Sequence, residues 1–142
     1  MENKPYARSY KDLIVYQKTR DIASRIFMIT MEFPKEEMYS LTDQIRRSSR
    51  AIGAQIAEAW AKRRYVKHFV SKLTDAQGEQ FETQHWVETS DDCEYLKEGI
   101  YEELYSGLQE IGAMLTSMIL KAESFCRTDR FEVNETNKEY FY

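Results

Sequence analysis

The sequence predicts an all-α protein, an antiparallel up-down-up-down four-helix bundle, and three observations carry that reading. Apolar residues recur at helical spacing over four long stretches. Gly and Pro together number seven of 142 residues, too few turn formers for a sheet with many hairpins and enough for long helices with short joints. Apolar residues make up 42% and charged residues 31%, the balance of one globular domain with a real core rather than of a disordered chain.

Helix 1 is expected from Asp12 to about Glu32, because Val15, Ile22, Ile26, Ile29 and Phe33 form one stripe and Pro34 forces the preceding residue out of the α region. Helix 2 is expected over 40–62, with Ser40 as N-cap, Asp43 three residues on, and a stripe of Leu41, Ile45, Ser49, Ile52, Ile56 and Trp60. Its end near Lys62 to Tyr65 lacks a Gly or Pro. Helix 3 spans 66–93 with Phe69, Leu73, Ala76, Gln80, Thr83 and Val87 inward, a stripe made weak by its two polar members. Helix 4 spans 97–126 with Ile100, Leu104, Gly107, Ile111, Met114, Met118, Ala122 and Phe125 at near-heptad spacing. Residues 1–126 then make the bundle. Residues 127–142 make a polar tail whose Tyr140-Phe141-Tyr142 is expected to dock on a bundle groove or a neighbouring chain. No apolar run approaches the roughly 18 residues of a membrane span, and Met1-Glu2-Asn3-Lys4-Pro5 has no signal-peptide core, so the cytoplasm is the expected location.

Two features exceed what a lone bundle needs. From Ala51 to Ala61 the sequence AIGAQIAEAWA is small or apolar almost all round. With Ile52 and Ile56 facing the core, Ala54, Ala57 and Ala61 fall on the opposite side at 100° per residue. Gly53, Ala54, Ala57 and Ala61 therefore read as an interface with a second subunit; the competing reading is alanine enrichment for helix propensity. The second feature is charge. From Gln44 to Lys72 eight basic residues face one acidic, Glu58, so this segment carries +7 against −4 for the chain and leaves −11 elsewhere. Arg46, Arg47 and Arg50 lie on one helical face, and Lys62, Arg63, Arg64 and Lys67 at the next joint.

The chain from Tyr10 to about Leu120 resembles the four-helix-bundle family named after proteins encoded within intervening sequences of the 23S ribosomal RNA gene. The resemblance is carried by Lys11-Asp12-Leu13 with Val15-Tyr16-Gln17-Lys18, by Phe33-Pro34-Lys35-Glu36-Glu37 with Tyr39, and by Leu41-Thr42-Asp43-Gln44-Ile45-Arg46-Arg47. Gln55-Ile56-Ala57-Glu58 and Glu82-Thr83-Gln84 continue it. It implies a short bundle assembled as a ring, with homopentamers the expected form, and no established catalytic activity. A related branch serves as the accessory protein of reverse transcriptases in diversity-generating retroelements, where a basic surface is thought to contact nucleic acid. The sequence departs from the family pattern at Gly53, usually Pro, at Gln55, usually Asn, at Ala59, usually Gly, and at Gln80, often Glu. These departures bear on ring geometry more than on fold.

Catalytic signals are thin. Glu82-x-x-His85 has the spacing of a ferritin-like iron ligand pair, but such a site needs a second copy and further carboxylates. The only other histidine, His68, has Tyr65 three positions before it. Cys93 and Cys126 match no zinc motif, and helix 4 would hold them roughly 40–45 Å apart. Glu58, in an apolar stretch, reads as a carboxylate paired with an arginine or held by backbone donors rather than as a catalytic acid. No Gly-rich phosphate loop is present. The expectation is therefore a non-enzymatic homo-oligomer without metal or cofactor, its own copies being the first partner. The basic segment is either a phosphate-backbone surface for RNA, DNA or a nucleic-acid-bound protein, or a solvated and salt-bridged surface. No base-stacking platform or recognition helix is visible, so little base preference is expected.

Overall fold

The computed structural model describes residues 7–126. In order, they form a 3-10 turn Tyr10–Asp12, helix α1 Ile14–Thr30, a second 3-10 turn Lys35–Glu37, α2 Leu41–Ala61, α3 Val66–Asp92, α4 Ile100–Leu120 and a short α5 Ala122–Cys126. Among the described residues there is no strand, and no helix is long and apolar enough to cross a membrane. The tail 127–142, with its three terminal aromatics, lies outside the described residues.

Each long helix packs against two others, α1 on α2 and α4, α3 on α2 and α4, with the α2–α3 contact the most extensive. Cross-helix pairs fix the register. Lys18 meets Glu110 at 3.0 Å and Arg25 meets Glu103 at 2.8 Å between α1 and α4. Lys72 reaches Glu58 at 3.5 Å and Thr83 donates to Ser48 at 2.9 Å between α3 and α2. Gln77 donates to Thr116 at 3.0 Å between α3 and α4. In the two α1–α4 pairs and in the two α2–α3 pairs, the higher residue number on one helix meets the lower number on the other.

The expected stripes are the core. Val15, Ile22, Ile26, Ile45, Ile52, Ile56, Phe69, Leu73, Ala76, Val87, Leu104, Ile111, Met118 and Phe125 are all buried, each large side chain contributing about 2 kcal/mol by leaving water. Leu108 and Leu115, outside the expected α4 stripe, are fully buried too. The polar members of α3 are inside as well, and they have partners. Gln80 donates to Gln84, and Thr83 donates to Ser48, so the seam is hydrogen-bonded rather than hollow. Gly112 makes room for it, since a Cβ there would lie 2.7 Å from Gln80 Oε1.

The joints differ from the expectations in instructive ways. Ser9, not a residue nearer α1, forms a capping box with Asp12 ahead of the first 3-10 turn. Ser40 does not cap α2: its hydroxyl donates to Glu37 Oε1 at 2.6 Å instead, and the Glu37 carboxylate takes the Leu41 amide. Helix 4 is shorter than expected, starting at Ile100 and breaking at Lys121 before α5 turns Phe125 onto Phe69 at 5.7 Å. Helix α3 ends in a Schellman motif, with Glu94 N–H on Asp91 O and Tyr95 N–H on Ser90 O. Its left-handed position is Glu94 at φ 61°, not a glycine. At the end of α2, Arg63 donates to Trp60 O at 3.0 Å and lies over the Trp60 ring, a cation doing at the helix C-terminus what glycine does elsewhere.

The Schellman motif aims Tyr95 across the bundle end. Its ring packs 5.2 Å from Phe33 and its hydroxyl donates to Glu37 Oε2 at 3.0 Å, while Lys97 meets Glu32 at 3.0 Å. The α1–α2 and α3–α4 joints are thus tied through two carboxylates, Glu37 and Glu32. Hydrogen bonds from Ser40 and Tyr95 hold Glu37 below the ordinary carboxylate range, and the same bond pushes the Tyr95 phenol up to about 12. The signs follow from which form the fold prefers. The Tyr95 contribution is whole below the ordinary phenol value of 10.0 and is lost as pH climbs through about 12. The Glu37 contribution is whole above the ordinary value of 4.5 and is lost as pH falls through its lowered folded value. In thermal melts across pH, the stability difference between wild type and Tyr95→Phe should therefore be constant from the ordinary Glu37 value of 4.5 to about pH 10, shrink towards pH 12, and shrink also as pH falls through the lowered Glu37 value.

Candidate nucleic-acid interface

The seven basic residues do not form one surface. Arg50 and Lys62 are about 18 Å apart along α2, and the two groups have different surroundings. In the first group, half-buried Arg46 donates through Nε to Thr30 Oγ1 at 2.8 Å and lies 4.6 Å over the Phe27 ring. Arg50 lies 5.4 Å over the same ring. Only Arg47 points freely outward, 77% exposed, with Asp43 at 4.0 Å. Arg46 and Arg50 are therefore engaged with α1 through cation–π contacts.

The second group surrounds the α2–α3 joint. Lys62 meets Glu58 at 3.6 Å on the surface, and Arg63 is held on Trp60. Arg64 and Lys67 are exposed, and no carboxylate of the described residues pairs with either. Between them stand Tyr65 and His68, both exposed, their rings edge to face at 5.3 Å. Arg64, Tyr65, Val66, Lys67 and His68 line a shallow concavity of about 450 Å³. Tyr65 and His68 entered the sequence reading only in weighing a metal site and were given no binding role; the signal was the interleaving of aromatic rings with cations in Arg64-Tyr65-Val66-Lys67-His68.

The small-residue face divides too. Ala54 and Ala61 are exposed and Ala57 half-buried, on the outside of the bundle as expected. Gly53 is not with them. It is buried inside the chain against α1, where a Cβ would lie 2.9 Å from Thr19 Oγ1, so its smallness serves α1–α2 packing. Beside it runs an open groove of about 580 Å³ between α1 and α2, lined among others by Phe27, Met28, Arg50, Ala54 and Ala57.

The remaining candidates have ordinary surroundings. Glu58 is half-exposed and pairs with Lys62 and Lys72, not with an arginine, so it is no buried carboxylate. Glu82 accepts from Trp86 Nε1 at 3.3 Å, and exposed His85 packs on the same indole. Cys93 is exposed, Cys126 buried, and neither is in a disulfide. Among the described residues no three of His, Cys, Asp and Glu converge on a point that could hold an ion. Among the described residues, Thr42 Oγ1 and Gln55 Oε1 are buried side-chain atoms without a hydrogen-bond partner.

A family model described as 23S rRNA-intervening sequence protein matches residues 11–117. The chain belongs to that family. A solved structure similar to this member is a protein of unknown function from the S23 ribosomal protein family of Bacteroides thetaiotaomicron VPI-5482. The two are 30% identical with a TM-score of 0.66, over 75% of this chain and 98% of the other. No curated protein matches this family member.

The Gly53 contact makes a prediction whose sign opposes helix propensity. Alanine would gain about 1 kcal/mol over glycine in a free helix, but the added Cβ meets Thr19, whose β-branched side chain has little freedom to move. Gly53→Ala should destabilise by about 1 kcal/mol or more. In a Thr19→Ala background the same change should turn neutral or stabilising, read by urea unfolding at fixed protein concentration.

Proposed function

We propose that the protein is a non-enzymatic scaffold of the cytoplasm, an antiparallel up-down-up-down bundle that assembles with its own copies and binds nucleic acid or a ribonucleoprotein. The single observation that carries the binding half is the α2–α3 joint, where Arg64 and Lys67 stand exposed with no carboxylate partner among the described residues. Phosphate backbones reward such cations by counterion release and need no base-reading motif. The opposed register of the cross-helix pairs supports the bundle topology.

What supports assembly is the outer face of α2. Among the described residues no helix covers Ala54, Ala57 and Ala61, and the adjacent groove carries Phe27 and Met28, the latter 59% exposed. Small residues allow a second backbone to approach closely, and a face repeated head to tail closes into a ring; a ring of five is the preferred form, as the family resemblance implies. A second reading, a protein-only adaptor, is favoured by the position of Arg46 and Arg50. Arg50 lines that groove and Arg46 lies over its Phe27 ring, where they can meet the acidic α3 and α4 of a neighbouring copy.

Two measurements test these readings. Light scattering should give the wild type a mass of several subunits, and Ala57→Arg, which sets a charge in the contact, should reduce it to one subunit with helical circular dichroism retained. Gel shifts with structured RNA and duplex DNA should show binding that weakens by orders of magnitude between about 50 and 200 mM salt. Arg64→Glu with Lys67→Glu should remove that binding and leave the oligomer intact. Absence of any shift at low salt leaves the adaptor reading in its place.

A further inference from the structure

We propose that Tyr65, braced by His68 and framed by Arg64 and Lys67, is a stacking platform for unpaired nucleotides. The inference rests on the nucleic-acid reading above and deepens it by naming the form of strand the joint takes. An aromatic ring 58% exposed at a helix boundary has no packing role to explain it. The edge-to-face contact of the two rings at 5.3 Å steadies Tyr65 and still leaves it largely open to solvent.

Comparison with the other exposed rings isolates this one. Tyr39 is 91% exposed, but its near neighbours in sequence include Glu36 and Glu37. Phe81 is 63% exposed and is followed directly by Glu82. Phe27, 37% exposed, also lines a groove with cations, but the Arg46 and Arg50 guanidinium groups already lie over its ring; Tyr65, with His68 beside it, stands in a concavity walled by two cations that lack carboxylate partners among the described residues. The joint is also stiff. Lys62 N–H bonds to both Glu58 O and Ala59 O, Tyr65 N–H bonds to Lys62 O at 3.3 Å, and Arg63 is pinned on Trp60. A fixed ring loses little freedom on binding. Every base has a π-face, so a ring between phosphate-binding cations favours single strands without reading their sequence. A duplex hides its base faces in its own stack and can use only the cations. The sequence by itself offered no such platform; it becomes one because the chain leaves α2 in a turn and enters α3 through extended Tyr65, at φ −126° and ψ 123°.

The test compares full-length wild type, Tyr65→Ala and Tyr65→Phe, each binding a single-stranded oligonucleotide that carries a fluorescent adenine analogue, and a duplex of equal length. The wild type should quench the analogue on binding. Tyr65→Ala should bind the single strand roughly tenfold more weakly without quenching, while duplex affinity and salt dependence stay unchanged. Tyr65→Phe should behave as wild type. Equal affinities for the single strand in wild type and Tyr65→Ala, with no quenching in either, would overturn the stacking inference and leave the electrostatic reading standing. A wild type that binds neither strand form at low salt overturns both. The unchanged duplex affinity of Tyr65→Ala serves as its folding control, and a loss of both affinities in that variant alone also counts against stacking.

Discussion

The close approach of α1 to α2 at Gly53 sets the fate of most of the groups that matter. Without a Cβ at Gly53, Thr19 comes within van der Waals reach of the α2 backbone, and α1 settles into that notch. This seating brings Phe27 beneath Arg46 and Arg50, whose guanidinium groups lie over its ring. It also leaves Ala54 and Ala57 uncovered beside the groove. A bulkier residue at Gly53 would move α1 outward and alter all three features together. The position is a packing device with electrostatic consequences, and its effect on any subunit contact runs through the shape of the groove.

Charge in the basic segment is then spent unevenly. Arg63 satisfies a carbonyl at the end of α2, where a cation is favoured by the helix dipole. Arg46 takes Thr30 and the face of Phe27. Lys62 and Lys72 share Glu58, but exposed pairs of this kind are worth only about 0–1 kcal/mol, too little to withhold Lys62 from a phosphate. Among the described residues no carboxylate makes such a claim on Arg64 or Lys67. A segment of +7 thus reduces, as a free surface, to a few side chains around one joint.

The long helices were legible because their apolar spacing is the packing pattern itself. Even the polar residues Gln80 and Thr83 lie where the periodicity puts them, since a buried hydrogen bond between Thr83 and Ser48 is as acceptable to the core as a methyl group. The joints were harder to read. Glu94 occupies a left-handed position usually given to glycine, Arg63 replaces a glycine at the end of α2, and Glu37 rather than Ser40 meets the start of that helix. Each depends on a partner distant in sequence or on side-chain geometry that no local rule encodes. The candidate site was legible by composition only. Counting charges found the segment, but whether an arginine is free or folded onto Phe27 depends on a helix some twenty residues earlier in the chain.

The division of the basic residues also separates two tasks that the sequence had run together. The groove lies on the flank of the bundle between α1 and α2, and the free cations lie at its end, where α2 turns into α3. Arg50 and Lys62 stand about 18 Å apart along the helix axis, and at physiological ionic strength exposed charges are screened beyond about 8 Å. The two groups therefore act as independent electrostatic units. A neighbouring subunit seated in the groove would bury Arg46 and Arg50 without touching the field around Arg64 and Lys67. Assembly by the flank then repeats the joint once per subunit and leaves each copy open to solvent. A phosphate strand crossing several such joints gains from their number, because the second and later contacts are made within one complex. Weak single sites would be enough for such a scaffold, which matches a joint where, among the described residues, Arg64 and Lys67 stand exposed beside the Tyr65 and His68 rings.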